Sequence, residues 1–273
     1  MLIATWNVNS IRTRSQQILD FLDEAKPDLI CLQETKVDNS LFPKEPFEEK
    51  GFQVVFNGQK SYNGVALISK LPLEDVRHGF EGELFDDKEA RLLGEQKRVI
   101  SALIEGIRIV NVYVPNGSSL DSPKYDYKIQ WLNCLKKYLK AQAIRDEPLC
   151  LLGDFNIALE DKDIHNPTKL TGGIMASDLE RRTLRDLLGD NLEDVFRIFE
   201  EGNNHWSWWD YRSGAWPRDK GWRIDHIYLS ETLIKNAKSS LIHKETRGNE
   251  QPSDHAPVLV DINWPPEEEF EDF

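Results

Sequence analysis

Short apolar runs bounded by turn residues recur along the whole chain. Runs rich in Val, Ile, Leu and aromatic residues, flanked by Gly, Pro, Asn or Asp, are typical of strands. On this basis we predict nine strands, in the segments LIATW, DLICLQ, FQVVF, VALIS, RVISALI, IRIVNVYV, PLCLLGDF, IDHIYL and PVLVDINW.

Three segments instead space their apolar residues like one face of a helix. The third of them runs from about Ser177 to Leu188, with Ser177 as the N-cap and Glu180 at the capping-box spacing. This balance of strands and helices predicts two sheets packed face to face, with the helices outside them. The other two helices carry Ile18, Phe21, Leu22 and Ala25, and, after Pro123, Ile129, Leu132, Leu135 and Leu139.

The 273 residues contain no repeat and no low-complexity linker that would mark a domain boundary. We therefore predict one domain over residues 1–264, followed by an acidic tail over 265–273. Residues 267–273 hold five acids, and such a segment is expected to be disordered.

Composition and cysteine usage indicate a soluble, intracellular chain. Hydrophobic residues make up 40% and charged residues 30%, and no run approaches the roughly 20 apolar residues of a membrane helix. The first residues lack the basic and apolar stretches of a secretory signal. Cys31 and Cys150 lie in apolar runs, where we expect burial, and three cysteines in all fit a reducing compartment. We predict a cytoplasmic protein that does not bind membranes.

Polar residues directly follow several of the predicted strands. One explanation is purely structural, because Asn and Asp begin turns. Glu34 does not fit it, since Glu favours neither turns nor strands. Asp254 and His255 add a neighbouring acid and imidazole before the last strand. The residues that follow strands are Asn7, Asn9, Glu34, Asn116, Asp154, Asn156 and Asp225.

The spacing of these residues favours a shared site. Asp154 and Asn156 are two positions apart, as are Asn7 and Asn9, so each pair would share a face if strand geometry continued. Strand ends that converge would form an oxygen-rich cluster with one histidine. Such a cluster suits Mg²⁺ or Mn²⁺, and the chemistry that needs it is phosphoryl transfer to water. No GxSxG, P-loop or GxGxxG motif supports a competing mechanism.

Eight short motifs in order resemble the exonuclease III branch of the endonuclease, exonuclease and phosphatase superfamily. They are TWNVNSIR, LQETK, GQKSYNGVALIS, VYVPNG, LLGDFNI, SWWDYRS, WRIDHI and SDHAPV, and together they span nearly the whole chain. The resemblance implies an α/β fold of the DNase I-like kind, a four-layer α/β/β/α sandwich of two mixed β-sheets with the site at the sheet edge. It also implies a monomer.

The resemblance further assigns roles to single residues. Asp154 resembles the residue that orients or deprotonates the attacking water, and Asn156 its phosphate-binding neighbour. His255 resembles the imidazole that contacts the scissile phosphate, and Asp225 the acid that orients it. Tyr113 resembles a phosphate or leaving-group contact.

Metal and DNA contacts are implied in the same way. Glu34 resembles the main Mg²⁺ ligand, with Asn7 close by and Asp254 as a further candidate. Phosphate or DNA contacts are implied for Asn9, Asn116, Lys36, Arg98 and Trp208, and Lys60 and Tyr62 are additional candidates. For the cations Lys36, Arg98 and Lys60, the alternative is that each is an ordinary solvated charge.

Five of the eight tryptophans lie between Trp206 and Trp222, and residues 205–223 hold four bases and two acids. Aromatic surface beside cations suits a strand with a missing base, because stacking and phosphate contacts hold it. Trp208 resembles the aromatic that packs against the abasic sugar. Trp206 and Trp209 could equally be core residues.

The resemblance, together with the oxygen-rich cluster and the tryptophan-rich segment, implies a Mg²⁺-dependent nuclease that cuts 5′ to abasic sites, with 3′-to-5′ exonuclease and 3′-phosphatase activity on duplex DNA. The net charge of −13 opposes tight DNA binding, although a metal and clustered cations can reverse the field locally. Two alternatives are a phosphodiesterase for lipid or inositol phosphates on the same fold and a catalytically silent nucleic-acid-binding regulator. The joint presence of Glu34, Asp154, Asp225 and His255 counts against the regulator.

Overall fold

A computed structural model describes residues 1–80, 84, 86–143 and 147–266. Within these residues there are twelve strands and eight helices. The strands are β1 (Leu2–Asn7), β2 (Leu29–Gln33), β3 (Gln53–Asn57), β4 (Val65–Ser69), β5 (Glu74–His78), β6 (Val99–Ile104), β7 (Ile107–Tyr113), β8 (Leu149–Asp154), β9 (Leu192–Asp194), β10 (Asp225–Ser230), β11 (Ala237–Ile242) and β12 (Val258–Ile262). The helices are α1 (Ile11–Glu24), α2 (Glu45–Glu48), α3 (Lys88–Gly94), α4 (Pro123–Ala143), α5 (Pro167–Leu170), α6 (Asp178–Leu188), α7 (Val195–Phe199) and α8 (Glu231–Lys235).

The strands form two mixed sheets of six. The first has the order β11-β12-β1-β2-β4-β3 and the second β5-β6-β7-β8-β10-β9. In each sheet one parallel pair lies near the centre, β1 with β2 and β7 with β8. The remaining pairs are antiparallel.

Three apolar layers hold the two sheets and the helices together. The central layer lies between the sheets, where Ile3 and Cys31 of the first sheet share one cluster with Ile109 and Leu152 of the second. The first sheet packs its other face against α1, and the second packs its other face against α4 and α6. The result is the predicted four-layer α/β/β/α sandwich, so the fold class is confirmed.

All nine predicted strands and all three predicted helices are present. The sequence did not indicate β5, β9 and β11, whose compositions are polar or mixed and which lie at the sheet edges. Ser177 caps α6, and its capping box with Glu180 is formed as predicted. The buried face of α4 differs slightly from the prediction, because Ile129 is only partly buried while Lys128 is fully buried.

The sheet topology brings several strand ends to one edge. β1 and β2 end there together, as do β7 and β8, and the antiparallel strands β10 and β12 begin there. We call this the site edge, defined by Asn7, Gln33, Tyr113, Asp154 and Asp225 at the strand termini.

The single domain over 1–264 stays a prediction, and residues 267–273 of the predicted acidic tail lie outside the described residues. Cys31 and Cys150 are buried and unpaired, as expected. Among the described residues, none of the helices combines the length and the apolar character of a membrane-crossing segment.

Candidate active site

Three side chains of the second sheet start from aligned positions on neighbouring strands. Asp154 at the end of β8 is paired with Tyr113 of β7 on one side and with Asp225 of β10 on the other. Gly153 permits this close pairing, since a Cβ at its φ of 140° would lie 1.9 Å from the Val112 carbonyl oxygen.

Glu34 reaches this group from the first sheet. Its Oε1 accepts hydrogen bonds from the Tyr113 hydroxyl at 2.7 Å and from Asn7 Nδ2 at 3.0 Å, and its Oε2 lies 2.6 Å from Lys36 Nζ. Burial works to raise the pKa of Glu34, but Lys36 and the hydrogen bonds from Tyr113 and Asn7 prevail and lower it. The lowered pKa keeps this carboxylate charged. The side chain is 17% exposed, so it reaches solvent.

The backbone at Glu34 is in an uncommon conformation. Its φ is 53° and that of Lys36 is 54°, in the left-handed region that non-glycine residues rarely adopt. Such a conformation costs on the order of 1 kcal/mol or more and tends to occur at functional sites. It directs the Glu34 side chain toward Tyr113 and Asn7.

The Asn7 amide connects Glu34 to Asp154. The same Nδ2 atom donates to Glu34 at 3.0 Å and to Asp154 Oδ2 at 2.9 Å, while the Asn7 Oδ1 accepts from the backbone N–H of Asn9. Two carboxylates that share one donor lie close together. The two sheets therefore meet at this amide.

His255 is held by a buried chain of hydrogen bonds. Its Nδ1 lies 2.8 Å from Asp225 Oδ2, and the same carboxylate accepts from the Ser207 hydroxyl at 2.6 Å. The other ring nitrogen, Nε2, lies 3.8 Å from Asp154 Oδ2. Burial alone would lower the pKa of His255, but Asp225 and Asp154 outweigh it and raise the pKa to about 10.

Asp154 is almost fully buried, and this raises its pKa. Burial, supported by the nearby Asp225, raises the pKa of Asp154 to about 7 against the opposing attraction of His255. Its Oδ1 accepts from the backbone N–H of Asn156 at 2.9 Å. A carboxylate with this pKa can accept a proton near neutral pH.

Asn116 and Asn156 are joined by a hydrogen bond of 3.0 Å from Asn116 Nδ2 to Asn156 Oδ1. Asn156 also donates to the Val114 carbonyl at 3.0 Å and to Asp154 Oδ2 at 3.3 Å. Its φ is 51°, so the strand geometry of β8 does not continue through it, contrary to the assumption behind the predicted shared face. The Asp154 and Asn156 side chains nevertheless lie 3.3 Å apart. Asn9 also leaves strand geometry, with φ 44°, and contacts the Asn7 side chain through its backbone N–H.

Asp254 lies on an adjoining part of the site edge. Its Oδ1 accepts from Asn9 Nδ2 and its Oδ2 from Trp208 Nε1, both at 3.0 Å. Asn9 Oδ1 in turn accepts from the Lys36 ammonium, which also pairs with Glu34. A continuous polar chain thus runs from Glu34 to Trp208.

The tryptophans divide into core and edge residues. Trp206 and Trp209 are buried together, so their core explanation holds, whereas Trp208 is only partly buried and its ring centre lies 6.4 Å from that of His255. Arg98 stacks on the Tyr113 ring and donates to the Tyr113 carbonyl. Tyr62 is 69% exposed.

Comparisons with known proteins decide the family. The sequence profile described as the Endonuclease/Exonuclease/phosphatase family matches residues 4–255. Exodeoxyribonuclease III of Haemophilus influenzae is 34% identical over 96% of this chain and 100% of its own length. The chain belongs to the endonuclease/exonuclease/phosphatase family.

Solved structures agree with this family assignment. A 3′ phosphatase from Neisseria, bound to a product DNA hairpin, is 40% identical with a TM-score of 0.91, over 97% of this chain and 100% of that chain. An AP endonuclease from Archaeoglobus fulgidus is 37% identical with a TM-score of 0.89, over 96% of this chain and 99% of that chain. The family and the enzyme class predicted from the motifs are confirmed.

The donor set of the site fits a hard divalent cation, as in an endonuclease/exonuclease/phosphatase enzyme. Ligand atoms of Asp154, Asp225 and His255 lie within 4.8 Å of one another, and Glu34 joins them through Asn7. Carboxylate oxygens are the donors that Mg²⁺ and Mn²⁺ prefer. The assignment of individual ligands stays a prediction.

Sequence reasoning missed three residues that support the site of this family member. Ser207 donates to Asp225 and accepts two backbone N–H groups, from Ile224 and Asp225. Lys128 and Glu180 form a buried pair beneath Asn116 and Asn156. The signal for Lys128 was available, because it lies on the apolar stripe of α4, three positions before Trp131.

Proposed function

We propose that this chain is a Mg²⁺-dependent DNA-repair nuclease of the exonuclease III type, which hydrolyses the phosphodiester bond 5′ to abasic sites in duplex DNA. We propose 3′-to-5′ exonuclease and 3′-phosphatase activity at the same site, since all three reactions hydrolyse a phosphate ester. The observation that carries the proposal is the Asn7 amide nitrogen, which lies 3.0 Å from Glu34 and 2.9 Å from Asp154.

Glu34 would hold the ion, with Asn7 and Asp254 as further candidate ligands, and Mn²⁺ is expected to substitute. When bound, the ion supplies positive charge that stabilises the charge developing on the phosphate. The Lys36 ammonium, 2.6 Å from Glu34, adds a second positive charge at the same edge. These charges locally offset the net charge of −13.

The protein's own groups supply proton transfer and orientation. Asp154 accepts a proton from the attacking water at its carboxylate, for which a pKa of about 7 is suitable. His255, fixed through Nδ1 by Asp225, offers Nε2–H to a phosphate oxygen. The Asn116 amide donates to Asn156, and the Asn156 amide donates to Val114 and Asp154. Substrate would replace these bonds, so that the two amides donate to the remaining phosphate oxygens. The Tyr113 hydroxyl is held at Glu34.

Recognition of the substrate falls to the residues around this centre. The partly buried ring of Trp208, held by Asp254, offers a surface for an abasic sugar. Exposed cations in the same segment, Arg212, Arg218 and Lys220, are available to contact DNA phosphates. Duplex DNA with abasic sites or 3′ ends is the proposed partner, and the protein is expected to act as a cytoplasmic monomer.

The direct test is cleavage of a duplex that carries one abasic site, with Mg²⁺ and with EDTA as the control. We expect a cut 5′ to the site that leaves a 3′-hydroxyl, that EDTA abolishes and that excess Mg²⁺ or Mn²⁺ restores. Absence of cleavage, or cleavage unaffected by chelation, contradicts the proposal. An inositol phosphate offered in parallel tests the phosphatase alternative, and we expect no phosphate release from it.

A further inference from the structure

Lys128 is a fully buried lysine on the apolar face of α4. Its side chain is 0% exposed, and its ammonium lies 2.8 Å from the Asn156 carbonyl oxygen, 3.2 Å from the Asn116 carbonyl oxygen and 2.5 Å from Glu180 Oε1. A buried ammonium is costly unless each of its protons finds an acceptor. Here all three protons have one.

Glu180 extends the contact to a fourth segment. Its side chain is also 0% exposed, and it accepts from the backbone N–H groups of Met175 at 3.1 Å and Ser177 at 3.0 Å, and from the Ser177 hydroxyl at 2.7 Å. The pair therefore joins α4 to the loop after β7, the loop after β8 and the start of α6. The capping box of Ser177 and Glu180 does not by itself require Lys128.

The two carbonyls bound by Lys128 belong to the two asparagines proposed to hold the phosphate. Fixing a carbonyl fixes the orientation of its peptide group, and this limits where the attached side chain can point. Asn156 lies in the left-handed region, with a φ of 51°, so its carbonyl points differently from that of a residue in a continuing strand. Gly117 shows how close the packing is, since an added Cβ would lie 3.3 Å from Lys128 Cδ.

We propose that Lys128 is a positioning residue, which holds the carbonyls of Asn116 and Asn156 so that their amides meet the substrate phosphate together. This inference rests on the proposed function, because it assumes that these amides bind phosphate. A competing explanation is that Lys128 only neutralises Glu180. The two explanations differ in what happens when both charges are removed.

The decisive variant is Lys128→Met combined with Glu180→Gln. Lys128→Met alone leaves an unpaired buried carboxylate and is expected to lower Tm strongly. Adding Glu180→Gln removes that charge but leaves the two carbonyls without their ammonium donor. We expect the double variant to regain most of the lost Tm, while its kcat on an abasic duplex stays about 10-fold or more below wild type. A double variant with wild-type kcat overturns the proposal.

A matched control comes from Arg108, another buried cation. Its side chain is 1% exposed and pairs with Asp75 and Glu147 at the end of β7 opposite Tyr113. Arg108→Met is expected to lower Tm but to keep kcat within about twofold of wild type. A kcat loss in Arg108→Met equal to that of the double variant would mean that destabilisation alone explains the effect, and this also overturns the proposal.

A double-mutant cycle with Asn156→Ala distinguishes positioning through Asn156 from a purely structural role of Lys128. If Lys128 acts through Asn156, the combined Lys128→Met and Glu180→Gln changes should lower kcat less than about threefold in the Asn156→Ala background. A full, multiplicative loss in that background contradicts the proposal. Failure of the wild-type and Arg108→Met proteins to cut the duplex would instead overturn the proposed function, and the inference with it.

Discussion

The Nε2 atom of His255 lies 3.8 Å from the Oδ2 atom of Asp154, and both side chains are buried. Burial places the pKa of Asp154 at about 7, while Asp225 and Asp154 together keep that of His255 at about 10. The two raised pKa values favour a protonated imidazole beside a carboxylate that accepts a proton more readily than an ordinary aspartate. This difference supports the proposed roles, with Asp154 as the base and His255 as the phosphate contact.

Asp154→Asn is expected to cost at least about 10²-fold in kcat, because an amide cannot accept a proton from water. Folding and DNA binding should change little, since Asn keeps the size of the side chain and one acceptor oxygen. Single-turnover cleavage of an abasic duplex, together with a binding titration, measures both quantities. Wild-type activity in this variant would show that the base is another residue.

Ser207→Ala is expected to lower kcat about 10-fold, because Asp225 then loses its 2.6 Å donor and orients His255 less well. It also leaves the N–H groups of Ile224 and Asp225 without their acceptor, which should cost about 1–3 kcal/mol of unfolding free energy. Ser101→Ala is the matched control, since Ser101 of β6 is buried and hydrogen-bonded to Tyr138 of α4. Equal kcat losses in the two variants would remove Ser207 from the site.

Trp208→Ala should reduce cleavage at abasic sites more than removal of nucleotides from a plain 3′ end. The indole is the aromatic surface beside His255, and stacking is worth roughly 1–3 kcal/mol per contact. Trp208→Phe keeps an aromatic ring but loses the hydrogen bond to Asp254, so it separates stacking from positioning. A uniform loss on both substrates in Trp208→Ala would assign the residue to packing.

Asp163 is expected to make the protein sensitive to acid. Burial opposes its ionisation, but Arg223 and Arg197 prevail and hold the pKa of this buried carboxyl well below its usual range. A lowered folded-state pKa stabilises the fold above the unfolded value of about 4, and this contribution is lost as pH falls toward the folded value. Asp163→Asn should cost about 3–5 kcal/mol at pH 7, measured by urea unfolding.

The difference in unfolding free energy between wild type and Asp163→Asn should shrink progressively below about pH 4, because the unfolded wild-type chain then binds a proton at Asp163 and the folded chain does not. A pH-independent difference would show that shape, not charge, makes Asp163 important. Asp161→Asn serves as the control, because Asp161 pairs with Arg181 at a mostly exposed position. We expect its effect to be about 1 kcal/mol or less.

Most of the fold could be predicted from the pattern of apolar runs. Strands such as β2 and β4 are buried throughout and apolar except at their last residue, so they give a strong signal. β5, with the sequence EDVRH, gives none, because it lies at a sheet edge where polar residues are tolerated. Its place depends on pairing with β6, and a local pattern does not contain that information.

The candidate site was predictable as a list of residues but not as a geometry. Polar residues after apolar runs identified Glu34 and Asp154, and the motifs supplied their order along the chain. Asn7 was predicted as part of the metal shell, but not as the amide that joins the two carboxylates. The apolar stripe of α4 indicated that Lys128 is buried, but the roles of Ser207 and Lys128 come from contacts 18 and 28 residues away, with Asp225 and Asn156, which the sequence does not show.

Crystals soaked with Mn²⁺ and measured at the manganese absorption edge test the central claim most directly. We expect an anomalous peak within coordination distance of the Glu34 carboxylate, on the side that faces Asp154 and His255, and no such peak in Glu34→Gln crystals of unchanged fold. Manganese bound only elsewhere on the protein, or bound equally well after the Glu34→Gln change, would contradict the account.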